Sequence, residues 1–299
     1  MKISGFSYIR NGFKFGYPFL QSIQSALPIC DEFIIAVGDS QDGTREAIIN
    51  LGNPKIRIID TIWDEKLRQN GKIFAMQANI ALKEVTGDWA FHIQADELIH
   101  ESDISKIREQ IIAVNDDKNI DGLLFDFLNF HGNYNYLNNT RRQHKKEIRV
   151  FRTNLNVFSY RDSQGFRRYP AADDYLNGHK GIKLKVKSTH IPVFHYSYVR
   201  NPQQMSDKSK YFESFWHDDN YIEQKYQNKQ EFDYYNIERV KLFEGTHPSL
   251  MKDIIEKATW SFDVTKLAKK LPLKEKVLYF IEDRINHRIG EYRNYIIVK

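Results

Sequence analysis

The sequence predicts an α/β protein, a mixed and mostly parallel sheet flanked by helices, and three observations carry that prediction. Apolar runs short enough to be strands alternate with helix-period segments through the first 115 residues, the pattern that builds parallel sheets through right-handed crossovers. The run Phe33 to Val37 is apolar throughout, as a strand covered on both faces is. The segment GDWAFHIQADE at 87–97 passes abruptly from a buried-strand run into Gln94, Ala95, Asp96 and Glu97, and open α/β sheets bind their ligands just beyond the carboxyl ends of their strands.

The elements follow in order. Ile3 to Ile9 reads as a strand, Tyr17 to Leu27 as a helix and Phe33 to Val37 as a strand. Asp42-Gly43-Thr44 caps a helix to about Leu51, followed by a strand at Ile56 to Ile59, a helix from Lys72 to Val85 and a strand from Trp89 to Ile93. A helix near Asp103 to Val114 precedes strands at Gly122 to Leu128, Ile148 to Arg152 and Ile182 to Val186. From Asn201-Pro202, an N-cap and first-turn pair, the texture turns helical. Leu273, Val277, Phe280, Ile281, Ile285 and Ile289 recur at helical spacing and predict a face docked on the core, with a homodimer or membrane-surface contact as the alternatives. The expected division is a catalytic domain over 1–200, with halves 1–115 and 116–200, and a helical extension over 201–299.

Composition bounds the function. With 299 residues and 41% hydrophobic content the chain can bury a sizeable core. Cys30 is the single cysteine, so no disulfide forms within the chain, and no apolar run reaches the roughly 18 residues of a membrane span. A cytoplasmic protein is expected, peripheral at the inner face of the membrane as the variant. Residues 141–190 hold 13 Lys and Arg against 4 Asp and Glu, whereas residues 1–140 hold 13 against 19. Such a local basic excess beside an acidic strand end suits an anionic small substrate, and equally a solvated face. No nucleic-acid-binding signature accompanies it, so nucleic acid is not expected as a partner.

Four stretches carry chemistry. Beyond the Arg10-Asn11 pair after the first strand stands VGDSQDGT at 37–44, a turn able to offer backbone N–H groups and Asp39 to a nucleotide, or simply a capped turn. Then come GDWAFHIQADE, then RVFR at 149–152 followed by YRD at 160–162, then FHYSYVR at 194–200. In this order and spacing they resemble the family 2 glycosyltransferases of the GT-A fold, over about residues 1–200.

That resemblance implies a Rossmann-like sheet and inverting transfer of a sugar from a nucleotide-sugar to a hydroxyl of a glycan or glycolipid, by family analogy in surface polysaccharide or lipopolysaccharide synthesis. QADE stands where the family has Asp-x-Asp, with Gln94 replacing the first carboxylate. By resemblance Asp96 and His195 would hold Mn²⁺ or Mg²⁺ on the diphosphate, and Ser7, Arg10, Asp39, Lys72, Gln94 and Arg200 would contact the nucleotide-sugar. Asp162 matches the acid that serves as base, and the Asp173-Asp174 pair competes for that role because mutual repulsion raises one carboxyl. Two alternatives stay open: a nucleotidyltransferase on a similar sheet, and a catalytically idle nucleotide-sugar-binding module.

Overall fold

The computed structural model describes residues 1–64, 71–163, 165–227, 231–267, 271–285, 288 and 290–298. Its first half is a parallel sheet of β1 (Ile3–Ile9), β2 (Glu32–Gly38), β3 (Ile56–Thr61) and β4 (Trp89–His92) in the order β3-β2-β1-β4. The crossovers run through α1 (Phe19–Ala26), α2 (Thr44–Ile49) and α3 (Lys72–Lys83). Strand order therefore reverses between β1 and β4, whose neighbouring carboxyl ends diverge into different loops and leave a crevice.

Side chains alternate strictly across this sheet. Ile3, Phe33, Ile35, Val37, Trp89 and Phe91 pack on one face with α1 and with α4 (Ile104–Val114), while Phe6, Ile34, Ala36 and Ala90 pack on the other with Ala81 of α3. Both faces are thus covered, which is why the central run Phe33 to Val37 of β2 is apolar at every position. A Cβ on Gly5 would meet the Phe33 ring at 2.4 Å and Cys30 Sγ at 2.7 Å, so β1 and β2 pack closely around the missing side chain. Cys30 itself is buried and its thiol is pushed up by that burial, which makes it a packing residue.

The second half extends the sheet with mixed directions. It comprises β5 (Glu97–Ile99), β6 (Gly122–His131), β7 (Asn133–Asn138), β8 (Lys146–Arg152), β9 (Val157–Ser159), β10 (Phe166–Arg168) and β11 (Ile182–Tyr198), with the short helix α5 (Ala172–Leu176) in the connection between β10 and β11. β8 is antiparallel to both β4 and β6, and β6 is parallel to β11. The separate apolar stretches at 182–186 and 191–194 are one strand of 17 residues, bent where His190 adopts φ 58° and the register shifts before Pro192.

Beyond Asn201 lie α6 (Pro202–Glu213), α7 (Asp219–Tyr226), β12 (Val240–Leu242), α8 (Lys252–Glu256), α9 (Leu273–Ile285) and β13 (Tyr295–Ile297). Asn201 caps α6 as expected, its side chain accepting from Gln203 N at 3.0 Å. This segment is not purely helical: β12 joins β7, and β13 lies parallel to β11 in the main sheet. The expected docking stripe of α9 is corrected. Leu273 is 79% and Phe280 59% exposed, and Val277 and Ile285 are exposed as well, whereas Tyr279 and Glu282 face inward. Ile289 lies outside the described residues. Periodicity identified a shared face of the helix, and the opposite face is the buried one. No helix among the described residues is long and apolar enough to cross a membrane.

Candidate active site

A cavity of about 760 Å³ opens at the strand-order reversal between β1 and β4. Its floor is Tyr8, Ile9 and Arg10 at the end of β1 with Gln94, Ala95 and Asp96 after β4. Asp162 and Arg142 form part of another wall, and α6 contributes Lys208, Tyr211 and Phe212. The volume falls within the roughly 300–1,000 Å³ of small-molecule sites.

Adjacent carboxylates after β4 point to different surroundings. Glu97 is fully buried and takes a bidentate pair from Arg149, Nε to Oε2 at 2.8 Å and Nη2 to Oε1 at 2.6 Å. Its Oε2 also accepts from Gln94 N at 3.1 Å, which fixes the turn carrying Gln94 to Asp96. Arg149 stacks over Phe127, 4.7 Å from the ring centroid. Both arginines of the RVFR stretch are thus structural, since Arg152 donates to the carbonyls of Ile120, Val114, Asn115 and Asp117 behind the sheet.

Asp96 faces the cavity and its side-chain partners stand further off. His195 Nε2 lies 3.7 Å from Oδ1, while Lys208 Nζ at 3.5 Å and Arg200 Nη2 at 3.6 Å approach Oδ2. Burial alone would raise the Asp96 carboxyl, but Lys208, His195 and Arg200 together hold it well below the usual range. Burial, reinforced by Arg200, pushes the Lys208 ammonium down against the pull of Asp96. His195 is likewise pushed down by burial, against Asp96. His195 Nδ1 lies 2.7 Å from Asn129 Oδ1, so a proton on Nδ1 leaves Nε2 open toward Asp96.

Lys208 is held from several sides. It donates to the carbonyl and hydroxyl oxygens of Ser197, each at 3.1 Å, and sits over the rings of Tyr17 and Phe212 at 5.0 and 5.4 Å. Arg200 is 2% exposed, donates from Nε to the Phe15 carbonyl at 2.7 Å, and its buried Nη2 makes no hydrogen bond. Arg200 lines the adjoining cavity, so it backs Asp96 from behind the pocket. Lys208 was not anticipated: it arrives from α6, 112 residues along the chain from Asp96, and nothing local in sequence marks it. The aromatic wall it stands in had a signal in the run Tyr211, Phe212, Phe215 and Trp216 on the predicted helix.

Asp162 occupies a tight turn whose two flanking residues, Arg161 and Ser163, both have left-handed backbone, φ 56° and 67°. Strained non-glycine pairs of this kind persist where the surroundings over-determine them, often at functional sites. Gly71, also left-handed at φ 63°, lets the start of α3 approach this turn: a Cβ there would lie 2.6 Å from the Trp216 ring and 2.9 Å from Asp162 Cβ.

The structure therefore gathers Arg10, Gln94, Asp96, Asp162 and His195 around one cavity, with Arg200 behind it. The other expected contacts do not line it. Ser7 is buried on the face of β1 opposite Tyr8, and Lys72 is exposed at the start of α3. Asp39 lies just outside, where it takes Arg10 Nη2 at 3.0 Å while Nη1 donates to Tyr211 Oη at 3.0 Å. Asp173 and Asp174 stand on α5 away from the cavity; Asp174 accepts from Ala171 N at 3.0 Å and lies 3.1 Å from His179 Nδ1. They stand at the start of a short helix, and of the three acids Asp162, Asp173 and Asp174 only Asp162 lines the cavity, together with Asp96 and Glu213.

The residues at Asp96 do not fit a dedicated divalent-cation site. Gln94 supplies no charge, and among the described residues no group of three or more His, Cys, Asp or Glu converges. A cation held by Asp96 and His195 would also stand beside an ammonium and a guanidinium drawn to the same carboxylate.

No protein-family model and no curated protein matches the chain. Among solved structures it is similar to S. aureus TarS 1-349 in complex with UDP-GlcNAc, at 17% identity over 72% of this chain and 66% of that one, TM-score 0.40. It is also similar to mannosyltransferase PcManGT from Pyrobaculum calidifontis in complex with GDP-Man and Mn²⁺, at 15% identity over 52% and 45% of the two chains, TM-score 0.35. Glucosyl-3-phosphoglycerate synthase from Mycobacterium tuberculosis, in complex with Mn²⁺, UDP and phosphoglyceric acid, matches at 17% identity over 44% of each chain, TM-score 0.29. The matched part spans less than two thirds of each of these chains, and at these TM-scores the likeness assigns the chain neither a family nor a ligand.

Proposed function

We propose that the chain is an inverting glycosyltransferase of the GT-A type that moves a sugar from a nucleoside-diphosphate sugar to a hydroxyl of a glycan or glycolipid. The observation that carries this is the gathering, in one cavity at the strand-order reversal, of two cations and an acid: Lys208 beside Asp96, Arg10 at the end of β1, and Asp162 in the lining of the same cavity. The motif order in the sequence, from the Arg10-Asn11 pair to FHYSYVR, is in keeping with it.

In this mechanism the cations hold the diphosphate, and the aromatic residues Tyr8, Trp63 and Trp216 exclude water around the sugar nucleotide. Asp162 takes the proton of the acceptor hydroxyl while that oxygen bonds to the anomeric carbon from the face opposite the diphosphate. The bond from the anomeric carbon to the phosphate oxygen breaks, and its electron pair leaves on the diphosphate, beside the two cations.

The test is a panel of UDP-, GDP-, CMP- and TDP-sugars, scored for slow hydrolysis and then for transfer. One sugar nucleotide should be turned over, and Asp162→Asn should lower kcat by about 10² to 10⁴-fold, while Asp173→Asn and Asp174→Asn leave it unchanged. Near-normal turnover by Asp162→Asn would remove the base assignment, and hydrolysis of none of the panel would remove the function.

A further inference from the structure

We propose that the Lys208 ammonium, with Arg200 balancing Asp96 from behind, supplies the positive charge that meets the donor diphosphate, so that nucleoside-diphosphate binding by this chain is independent of added divalent metal. The proposal rests on the glycosyltransferase reading of the cavity.

Charge around Asp96 is the first support. One carboxylate faces two side-chain cations, Lys208 at 3.5 Å and Arg200 at 3.6 Å, so the cluster carries a surplus of one positive charge when both are protonated. Arg200 lines the adjoining cavity and Lys208 lines the main one. The guanidinium thus offsets Asp96, and the surplus is presented to the pocket by Lys208.

Placement is the second. Lys208 is buried, and the carbonyl and hydroxyl of Ser197 hold its Nζ over the rings of Tyr17 and Phe212. An ammonium pre-positioned in a poorly solvated pocket stabilises an approaching phosphate far more than one on a surface does. Arg10 adds a second cation at the end of β1, held toward the cavity by Asp39 and Tyr211.

Gln94 is the third. A metal bridge between protein and diphosphate needs carboxylate oxygens as its anchor, and the position two residues before Asp96 holds a neutral amide. A neutral residue there suits a site whose cation is a side chain, because a second carboxylate would draw Lys208 away from the diphosphate. The leaving pair of electrons on the phosphate oxygen is then met by an ammonium, a role phosphate-clamping lysines fill without coordination chemistry.

The experiment is calorimetric binding of UDP, GDP, CDP and TDP to the full chain, first in EDTA and then in Mn²⁺. At least one nucleotide should bind in EDTA, and Lys208→Met should weaken that binding by about tenfold or more, equivalent to about 1.4 kcal/mol. Lys208→Arg should retain most of it, and the thermal midpoints of both variants separate lost binding from lost fold. Binding that requires Mn²⁺, or that Lys208→Met leaves untouched in EDTA, overturns the inference and leaves the glycosyltransferase reading standing. Failure of all four nucleotides to bind with or without metal overturns both.

Discussion

Asp96, in the turn after β4, and Glu97, the first residue of β5, are neighbours in sequence, yet they belong to different kinds of region. On the Glu97 side the contacts are short, bidentate and complete: Arg149 meets it at 2.6 and 2.8 Å and no water reaches it. On the Asp96 side three cationic or imidazole groups stand at 3.5 to 3.7 Å around a cavity. The difference separates a charge pair that holds the fold from a charge cluster arranged to receive something. Distance and saturation distinguish them, and residue type does not.

The comparison extends to what each region does when broken. Glu97→Gln strands the Arg149 guanidinium, which cannot lose its proton, and the expected cost is about 3 to 5 kcal/mol in urea unfolding. A loss below about 1 kcal/mol would place the pair among weak surface bridges and erase the contrast. Asp96→Asn should cost less stability than Glu97→Gln, because burial and Arg200 already push Lys208 down, and a lysine can shed its charge where an arginine cannot. Its transfer activity should nevertheless fall, since Asp96 positions the two cations. Equal destabilisation by the two substitutions would show that both regions are structural.

A smaller effect concerns Glu147, whose carboxyl is pushed up to about 8, chiefly by burial, against the pull of Arg149. Arg149 is already engaged by Glu97, so Glu147 keeps its proton in the folded chain. Because its folded pKa lies above the unfolded one, the native state binds more protons between the two values. Glu147 therefore contributes a stability that is full below about pH 4.5 and is lost as pH rises toward about 8. Denaturation midpoints across that window should show a decline that Glu147→Gln flattens; an unchanged slope in the variant would mean that Glu147 ionises freely in the fold.

Much of the first half was legible because its strands are covered on both faces. Ile3 to Ile9 and the helix start at Lys72 are found where the apolar period placed them, and the capping pair Asn201-Pro202 opens α6. Pattern could not reveal what faces what. The α9 stripe was visible as a shared face, but only tertiary packing decides that Tyr279 and Glu282 turn inward. The short strands β9, β10, β12 and β13 have three residues each, too few for a period to register. At the site, Asp96, Asp162 and His195 stood out as strand-end and turn residues in a motif order. Lys208 did not, because its meaning depends on a helix folding back across 112 residues. Asp173 and Asp174 are legible as adjacent acids, whereas their place on α5, outside the lining of the cavity, is set by tertiary structure.

Gly71 gives the cavity a dimension of its own. The spot a methyl group would fill is already claimed by the Trp216 indole and by Asp162 Cβ. The gauge between the acid-bearing turn and the aromatic wall is thus set by an atom that is missing, a limit imposed by exclusion and not by attraction. One added carbon would wedge those two walls apart while leaving every polar group of the site in the sequence.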